Sequence, residues 1–561
     1  MNYKEVRMFY QSTRGCGEKI LSAEAIAKGL SEDGGLYVPE TFPAISESVI
    51  KSLAAKSYKD RAAYVMGQYL TDFTADELQD YTSRAYTAHD ADEQDNNKRD
   101  AEADDSQLSS AGAQVEQSGG VWGHPSIAPL HKIDDSTRFL ELWHGPTCAF
   151  KDVALQMLPM LLTASLRKLD ETREVCVLVA TSGDTGKAAL EGFRDIPGTK
   201  IMVFYPHDGV SGVQELQMTS QSGNNVNVVA VQGNFDDAQT GVKAIFSDEA
   251  LRERLSDIYI TDRQSGNCPG FSNQHATQID KNVPKGIILS SANSINWGRL
   301  VPQIAYYISA YCDLLTDGAI AYGDKINFCV PTGNFGNILA AYYALRMGLP
   351  INKLICASNR NDVLTQFLNT GVYDKNRPFY TTASPSMDIL VSSNLERLLY
   401  ELSGRDSGMV TGYMAGLAAN GRYEIPASVR DEAGRVFTGG RCSEEETMKV
   451  IAETFNAHNY LIDTHTAVAY KVLLDYMKDT GDSRPSVVVS TASPYKFCSS
   501  VLNALGKPQT ADGVELIDML SEATATPVPA PLAALRTARP RFKKVVPVSG
   551  MKASVLEFLG R

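Results

Sequence analysis

Along much of this chain a short run of β-branched and apolar residues is followed by a small-residue turn and then by a stretch of helical periodicity. Such runs occupy 175–180, 200–205, 226–231, 285–289, 325–330, 353–357 and 486–489. They are nearly continuous rather than alternating, which predicts strands covered on both faces. Their alternation with helices predicts doubly wound, mostly parallel α/β sheets. In such sheets ligands bind beyond the carboxyl ends of the strands. Three polar loops fall at those ends: 182–186, 333–337 and the one that begins at Thr491. No repeat of solenoid type interrupts the order.

Two of these loops are built to hold an anion. Thr181-Ser-Gly-Asp-Thr-Gly186 and Pro331-Thr-Gly-Asn-Phe-Gly-Asn337 each follow an apolar run and open a helix. Glycine lets the backbone come close, and N–H groups at a helix start face the anion with the helix dipole behind them. Neither loop has the spacing of a P-loop or of a dinucleotide fingerprint. A third segment, His144-Gly-Pro-Thr-Cys-Ala-Phe-Lys-Asp152, sets one lysine between an aromatic ring and a carboxylate beyond a Gly-Pro break. A lysine held like that can form a Schiff base. One such lysine and two anion cradles suggest pyridoxal 5'-phosphate and an anionic substrate.

Four further segments occur in order: Tyr10-Gln-Ser-Thr-Arg14, Leu30-Ser-Glu-Asp-Gly-Gly-Leu-Tyr-Val-Pro39, Ser291-Ala-Asn-Ser-Ile-Asn-Trp-Gly-Arg299 and Ser490-Thr-Ala-Ser-Pro-Tyr-Lys496. With them, nearly the whole chain resembles the threonine synthase family of fold-type II pyridoxal-phosphate enzymes. The resemblance implies an α/β protein of two doubly wound, mostly parallel sheet subdomains plus an amino-terminal, mainly helical domain. The expected divisions are an amino-terminal domain at 1–88, an acidic insert at 89–120, a catalytic region at 121–525 and a carboxy-terminal linker and arm at 526–561. The small subdomain would span roughly 151–290 of the catalytic region.

The resemblance also implies residue roles. Lys151 would carry the cofactor and later shuttle protons, for which burial and a neighbouring cationic centre must depress its pKa. Gly333, Asn334, Phe335, Gly336 and Asn337 would cradle the cofactor phosphate, and Thr491 would face the pyridine nitrogen. A hydroxyl there favours a less protonated ring and a weaker electron sink. Ser182, Gly183 and Thr185 resemble the seat of an amino acid's α-carboxylate. Asp184 would repel that group and is expected to turn onto backbone N–H groups. Asn293, Ser294, Asn296 and Arg299 either seat a leaving phosphate, which an arginine fork suits, or form a helix cap with one surface arginine. Phe150 either shapes the cofactor pocket or belongs to the core. Asp152 is expected to cap a helix over 153–169, and His144 to orient the loop before it.

The reaction implied is O-phospho-L-homoserine plus water giving L-threonine and phosphate, by γ-elimination and β-addition of water, the last step of threonine biosynthesis. Three alternatives stand beside it: a threonine or serine dehydratase-like lyase or β-replacement enzyme; a threonine-synthase-like protein that binds cofactor or phosphate without turnover; and a purely structural or interaction protein with an acidic tether, which leaves the ordered motifs unexplained. The amino-terminal signature and the 293–299 cluster weigh against the first. The intact Lys151, Thr491 and 333–337 loop weigh against the second.

Composition narrows the setting. A length of 561 residues suggests two to four domains. No apolar run approaches the roughly 20 residues a membrane span needs. The first residues lack the apolar core of a secretory signal and the Arg-rich character of a transit peptide, so a cytoplasmic protein is expected. Nine cysteines without C-x-x-C spacing point to reduced thiols, and no metal site is implied. A net charge of −13 argues against nucleic-acid binding, although much of it is local, with nine acidic and two basic residues between 89 and 120. That window has only Leu108 and Val115 as larger apolar residues, too little to offset its ordering entropy, and reads as a mobile insert. A tolerated surface loop is the plainer expectation there, and the alternative is a regulatory or partner-binding segment with Ser106, Ser109 and Ser110 as candidate phosphorylation sites. Past Thr524, the Pro-rich 527–531 reads as a linker and the basic 536–544 as an arm that packs back. No segment sets a homodimer apart from a monomer.

Overall fold

The structure is a computed structural model, and it describes residues 7–88, 121–264 and 286–560. The 89–120 insert, including Ser106, Ser109 and Ser110, and the first position of the run expected at 285–289 lie outside the described residues.

Two mostly parallel sheets organise the chain beyond the amino-terminal region. The larger has six strands in the order Phe437–Arg441, Ile351–Ser358, Ile326–Pro331, Ser486–Ser490, Thr137–Glu141 and Leu130–Lys132. All neighbours are parallel except the last pair, which is antiparallel. Ile326–Pro331 and Ser486–Ser490 are buried along their whole length, because helices cover both faces. The smaller sheet has five parallel strands in the order Val545–Pro547, Val226–Gln232, Thr199–Pro206, Glu174–Ala180 and Ile287–Ser291. Its outer strand comes from the far end of the chain. The helix Met551–Phe558 follows and places Met551 and Val555 in the core under this sheet.

The amino-terminal region is mainly helical. Ser46 and Ser57 cap the helices Glu47–Ala54 and Tyr58–Tyr69, and Thr74 with Glu77 forms a capping box at the start of Ala75–Ala85. A small antiparallel pair, Tyr10–Ser12 with Tyr37–Pro39, joins the two signature segments. This region packs on the helix Trp297–Thr316, of whose 20 residues 17 are buried. A helix buried along nearly its whole length lies inside, and here it packs between Glu47–Ala54 and Tyr58–Tyr69 of the helical region and the helices Lys151–Leu155 and Gly336–Arg346 that begin beyond the strands.

The helix expected at 153–169 is broken. It runs Lys151–Leu155 and resumes as Leu158–Lys168, with Pro159 in the first turn of the second piece. Asp152 does not cap it. Its carboxylate folds back to accept from the N–H of Thr147 at 2.9 Å and from the Thr147 hydroxyl at 2.6 Å, closing the Gly-Pro turn. Among the described residues, eight cysteines are unpaired, no group of His, Cys, Asp or Glu could hold a metal ion, and no helix is long and apolar enough to cross a membrane.

Candidate active site

Three adjacent parallel strands of the large sheet, Ile326–Pro331, Ser486–Ser490 and Thr137–Glu141, deliver three loops to one end. The last of these carries Lys151, the middle one Thr491, and the first the 332–337 turn. The lysine loop is laced to the Thr491 loop. Leu142 N–H donates to Ser490 O at 2.9 Å, Phe150 N–H to Thr491 O at 2.8 Å, and Ser493 N–H to Cys148 O at 3.0 Å. Cys148 holds a left-handed φ of 59° inside this lacing. The small sheet adds two more loops at its own carboxyl ends, 181–186 after Glu174–Ala180 and 292–299 after the neighbouring Ile287–Ser291.

Lys151 is half-buried, and its Nζ lies 4.3 Å from the centroid of the Phe150 ring, so Phe150 touches the amine rather than only the core. The amine makes no hydrogen bond or ion pair with the described residues. Burial pushes its pKa down to about 8; Asp184 pulls it back up, and the charges of Arg299 and Lys496 push it further down. A lysine so placed is part-deprotonated near neutral pH and can act as nucleophile and base.

At the 332–337 turn the main-chain N–H groups of Gly333, Asn334, Phe335, Gly336 and Asn337 have no acceptor among the described residues. They open the helix Gly336–Arg346, and Phe335 takes a left-handed φ of 63° to turn them outward. Gly333 is required by a close approach, since a methyl there would lie 2.7 Å from the Ser386 carbonyl oxygen. Asn337 accepts from the hydroxyls of Tyr306 and Tyr307 at 2.5 and 2.6 Å, but its own buried amide nitrogen has no partner. Bare donors at a helix start together with an orphaned amide fit a phosphate. The Thr491 hydroxyl is also uncommitted, next to the lysine loop. Phosphate donors, amine and hydroxyl are thus all present for pyridoxal phosphate.

In the 181–186 loop, Thr181 Oγ1 accepts from Gly183 and Gly186 N–H at 3.0 and 2.8 Å and sets the turn. Gly183 has φ 127°, and a methyl there would meet the Gln214 amide at 2.6 Å. The half-buried hydroxyls of Ser182 and Thr185 are free. Asp184 does turn away, but not onto backbone N–H groups. It accepts from Gln214 Nε2 at 2.8 Å and pairs with Lys496 Nζ at 3.0 Å. Burial raises its pKa, and Lys496 and Lys151 outweigh that to hold it well below the usual carboxylate range.

In the 292–299 loop the residues separate. Asn296 is consumed structurally: Oδ1 caps Gly298 N–H at 2.9 Å and Nδ2 donates to Ile26 O at 2.9 Å. Arg299 is 3 % exposed, not a surface residue; it donates to Ala292 O and leaves Nε without a partner. Asn293 and Ser294 are half-buried, and Ser294 accepts from Asn394 Nδ2 at 3.2 Å. His144 pairs through Nε2 with Glu141 at 2.6 Å, stacked on Trp143.

Sequence reasoning did not single out Asn394, Arg397 or Lys496. Asn394 donates from N–H and Nδ2 to Asn334 O, both at 3.1 Å, tying the 333–337 turn to Ser294. Arg397, fully buried, donates to Asn394 Oδ1, Ile295 O and Tyr37 O. Beside it Glu396 receives Arg14 and Thr13 of the amino-terminal signature. The signature therefore braces the anion cradle through one helix. Lys496 stood inside a quoted segment, and a lysine directly after Ser-Pro-Tyr was the available signal.

Along nearly its whole length the chain is similar to known proteins. The family described as "Threonine synthase N terminus" matches residues 9–86, "Pyridoxal-phosphate dependent enzyme" matches 139–492, and "Threonine synthase, C-terminal" matches 466–554. The chain is 36 % identical to threonine synthase of Pseudomonas aeruginosa over 497 residues, which is 89 % of this chain and 90 % of that one. It is 37 % identical to "Threonine synthase-like 1" of Pongo abelii over 502 residues, covering 87 % of this chain but spanning only 59 % of that protein's length. The crystal structure of pyridoxal-phosphate-bound threonine synthase from Brucella melitensis superposes with a TM-score of 0.77 at 33 % identity, covering 98 % and 99 % of the two chains. The yeast threonine synthase structure gives 0.78 at 30 % identity, with the same coverage.

Proposed function

Because the chain belongs to the threonine synthase family of pyridoxal-phosphate dependent enzymes, we propose that it converts O-phospho-L-homoserine and water to L-threonine and phosphate. The observation that carries this reading is the uncommitted Lys151 amine on a loop laced to Thr491, at the same sheet end as the bare N–H groups of 333–337.

In this reading the 333–337 N–H groups and the Asn337 amide hold the cofactor's phosphate, and the Thr491 hydroxyl faces its ring nitrogen. Pyridoxal phosphate, when bound, supplies a sink for the electron pair left at the substrate's α-carbon. The residues supply binding and proton traffic. The hydroxyls of Ser182 and Thr185 and the uncommitted N–H groups of Asp184 and Thr185 hold the α-carboxylate. Lys151 Nζ removes the α-proton and then serves the β-carbon. Phosphate leaves from the γ-carbon toward Arg299, whose unpaired Nε is a donor in waiting, with Asn293 and Ser294 beside it. The γ-carbon is reprotonated, water adds at the β-carbon, and Lys151 returns a proton to the α-carbon. Such a sequence needs water held off until the addition step, and movement of the small sheet's loops onto the substrate would do that. A cytoplasmic location, and a small-molecule substrate rather than nucleic acid or membrane, belong to the same proposal and accord with the net charge of −13.

The test is phosphate release from O-phospho-L-homoserine with threonine quantified in the same sample and Lys151→Ala as control. Equimolar phosphate and threonine, both lost in the variant, are expected. Phosphate with 2-oxobutyrate and no threonine would instead assign a lyase without water addition.

A further inference from the structure

Lys496 is a lysine with no exposed surface, and its ammonium group is held by two hydrogen bonds and one ion pair. It donates to Thr147 O at 2.9 Å and Gln217 Oε1 at 3.0 Å and pairs with Asp184 Oδ1 at 3.0 Å. These partners lie on three different segments. Thr147 belongs to the lysine loop, and its N–H and hydroxyl hold the carboxylate of Asp152, next to Lys151. Asp184 belongs to the 181–186 loop of the small sheet. Gln217 lies on the helix Gly212–Thr219, whose capping Ser211 also donates to Lys496 O at 3.2 Å.

A buried lysine is tolerated only if its charge is met by a partner and hydrogen bonds. Here the partner is a carboxylate whose backbone position is inside the proposed carboxylate seat. An Asp there would repel an incoming carboxylate unless its charge were drawn elsewhere. We infer that Lys496 is a positioning residue for this site: it draws Asp184 out of the carboxylate seat and fixes the Lys151 loop against the 181–186 loop. The seat itself rests on the functional reading above.

The charges facing Lys151 are Asp184, Arg299, Lys496 and Asp152, and those facing Asp184 are Lys496, Lys151 and His465. Asp184 raises the proton affinity of Lys151 and Lys496 lowers it. Removing each therefore moves Lys151 in opposite directions, which a residue that merely filled space would not do.

The experiment uses the full chain freed of cofactor, acetylated with acetic anhydride across pH, with Lys151 acetylation quantified by peptide mass spectrometry. The labelling midpoint should rise by about half a unit or more in Lys496→Met and fall in Asp184→Asn, as expected for charges at this range. If Lys496→Met does not fold, the step from Asp184→Asn to the double variant, which buries no unpaired charge, must be upward by a similar amount. Equal midpoints in those two would overturn the inference. A second readout uses holoenzyme titrated with L-threonine. Binding should weaken at least roughly tenfold in Lys496→Met, where Asp184 is released toward the seat, and recover in the double variant. Equal weakening in both would reduce Lys496 to support of the fold and overturn the inference too. Should the parent bind no L-threonine while the order of midpoints holds, the substrate reading fails and the link from Lys496 to Lys151 stands.

Discussion

The main-chain N–H of Phe150 donates to the carbonyl oxygen of Thr491 at 2.8 Å, and the flanking residues Ala149 and Ala492 form a one-residue antiparallel bridge. The lysine and the hydroxyl thus hang from one short ladder rather than from two independent loops. Backbone hydrogen bonds of this kind fix the separation of Lys151 from Thr491 regardless of what either side chain does.

Thr491→Val should therefore leave the ladder and the fold in place while removing the hydroxyl. We expect the thermal midpoint to be nearly unchanged and kcat to fall about tenfold, the worth of one hydrogen bond to a charge-bearing ring. Steady-state kinetics beside a melting curve decide it. An equal loss in stability would mean that the hydroxyl serves the fold instead.

Gly333→Ala places a methyl 2.7 Å from the Ser386 carbonyl oxygen, a backbone atom that cannot swing aside. The turn must shift, and its N–H groups with it. Cofactor affinity, read by absorbance titration, should drop by at least about tenfold with secondary structure intact, since misaligned donors lose charge-assisted bonds.

The depressed Lys151 has a consequence for stability with a definite sign. Its pKa falls from 10.5 to about 8 on folding. Between those values the unfolded chain holds a proton that the folded chain lacks, so stability rises with pH across that window, and the full penalty is present below it. Lys151→Met should stabilise the cofactor-free protein at neutral pH by about 1 kcal/mol, as relief of a functional site often does. The gain should fade as pH climbs from about 8 to 10.5 and be absent above that window. Urea unfolding at neutral and alkaline pH measures it.

Arg397 meets three acceptors with one planar fork: Tyr37 O at 3.0 Å, Asn394 Oδ1 at 2.5 Å and Ile295 O at 2.6 Å. Arg397→Ala strands all three inside the protein and should cost about 3 kcal/mol or more in denaturant unfolding. Lysine cannot reproduce the fork, so Arg397→Lys should recover little. Asn394→Ala is the milder change, and it should show mainly as weaker cofactor binding.

The parts of the fold that could be read from sequence are those where one segment carries its own signal. The strand Glu174–Ala180 has six of seven residues buried, and its apolar run says so directly. Phe437–Arg441 does not read as a strand, because its centre is Gly439-Gly440. Those glycines are explained only by neighbours: a methyl at Gly439 would lie 2.9 Å from Thr365 Cα, and one at Gly440 2.5 Å from Val472 Cγ1. The tight turn at 333–337 stands out in the sequence because its glycines lie between an apolar run and a helix, and the structure finds its N–H groups without acceptors among the described residues. Asp184 misled the reading of its own surroundings, since its partners Gln214 and Lys496 come from distant segments. The break after Leu155 has a local cause that the sequence carried, since Pro159 has no N–H to give the Leu155 carbonyl.

The strand Ser486–Ser490 lies between Ile326–Pro331 and Thr137–Glu141, although it is made long after both. During synthesis those two earlier strands emerge with apolar edges and no neighbour to join them, and the lysine loop has nothing to lace onto. The nascent chain must carry this open gap until residues 486–490 leave the ribosome. Exposed strand edges of that kind invite wrong pairing, so the chain's yield in cells should depend on assistance during translation more than its final stability suggests.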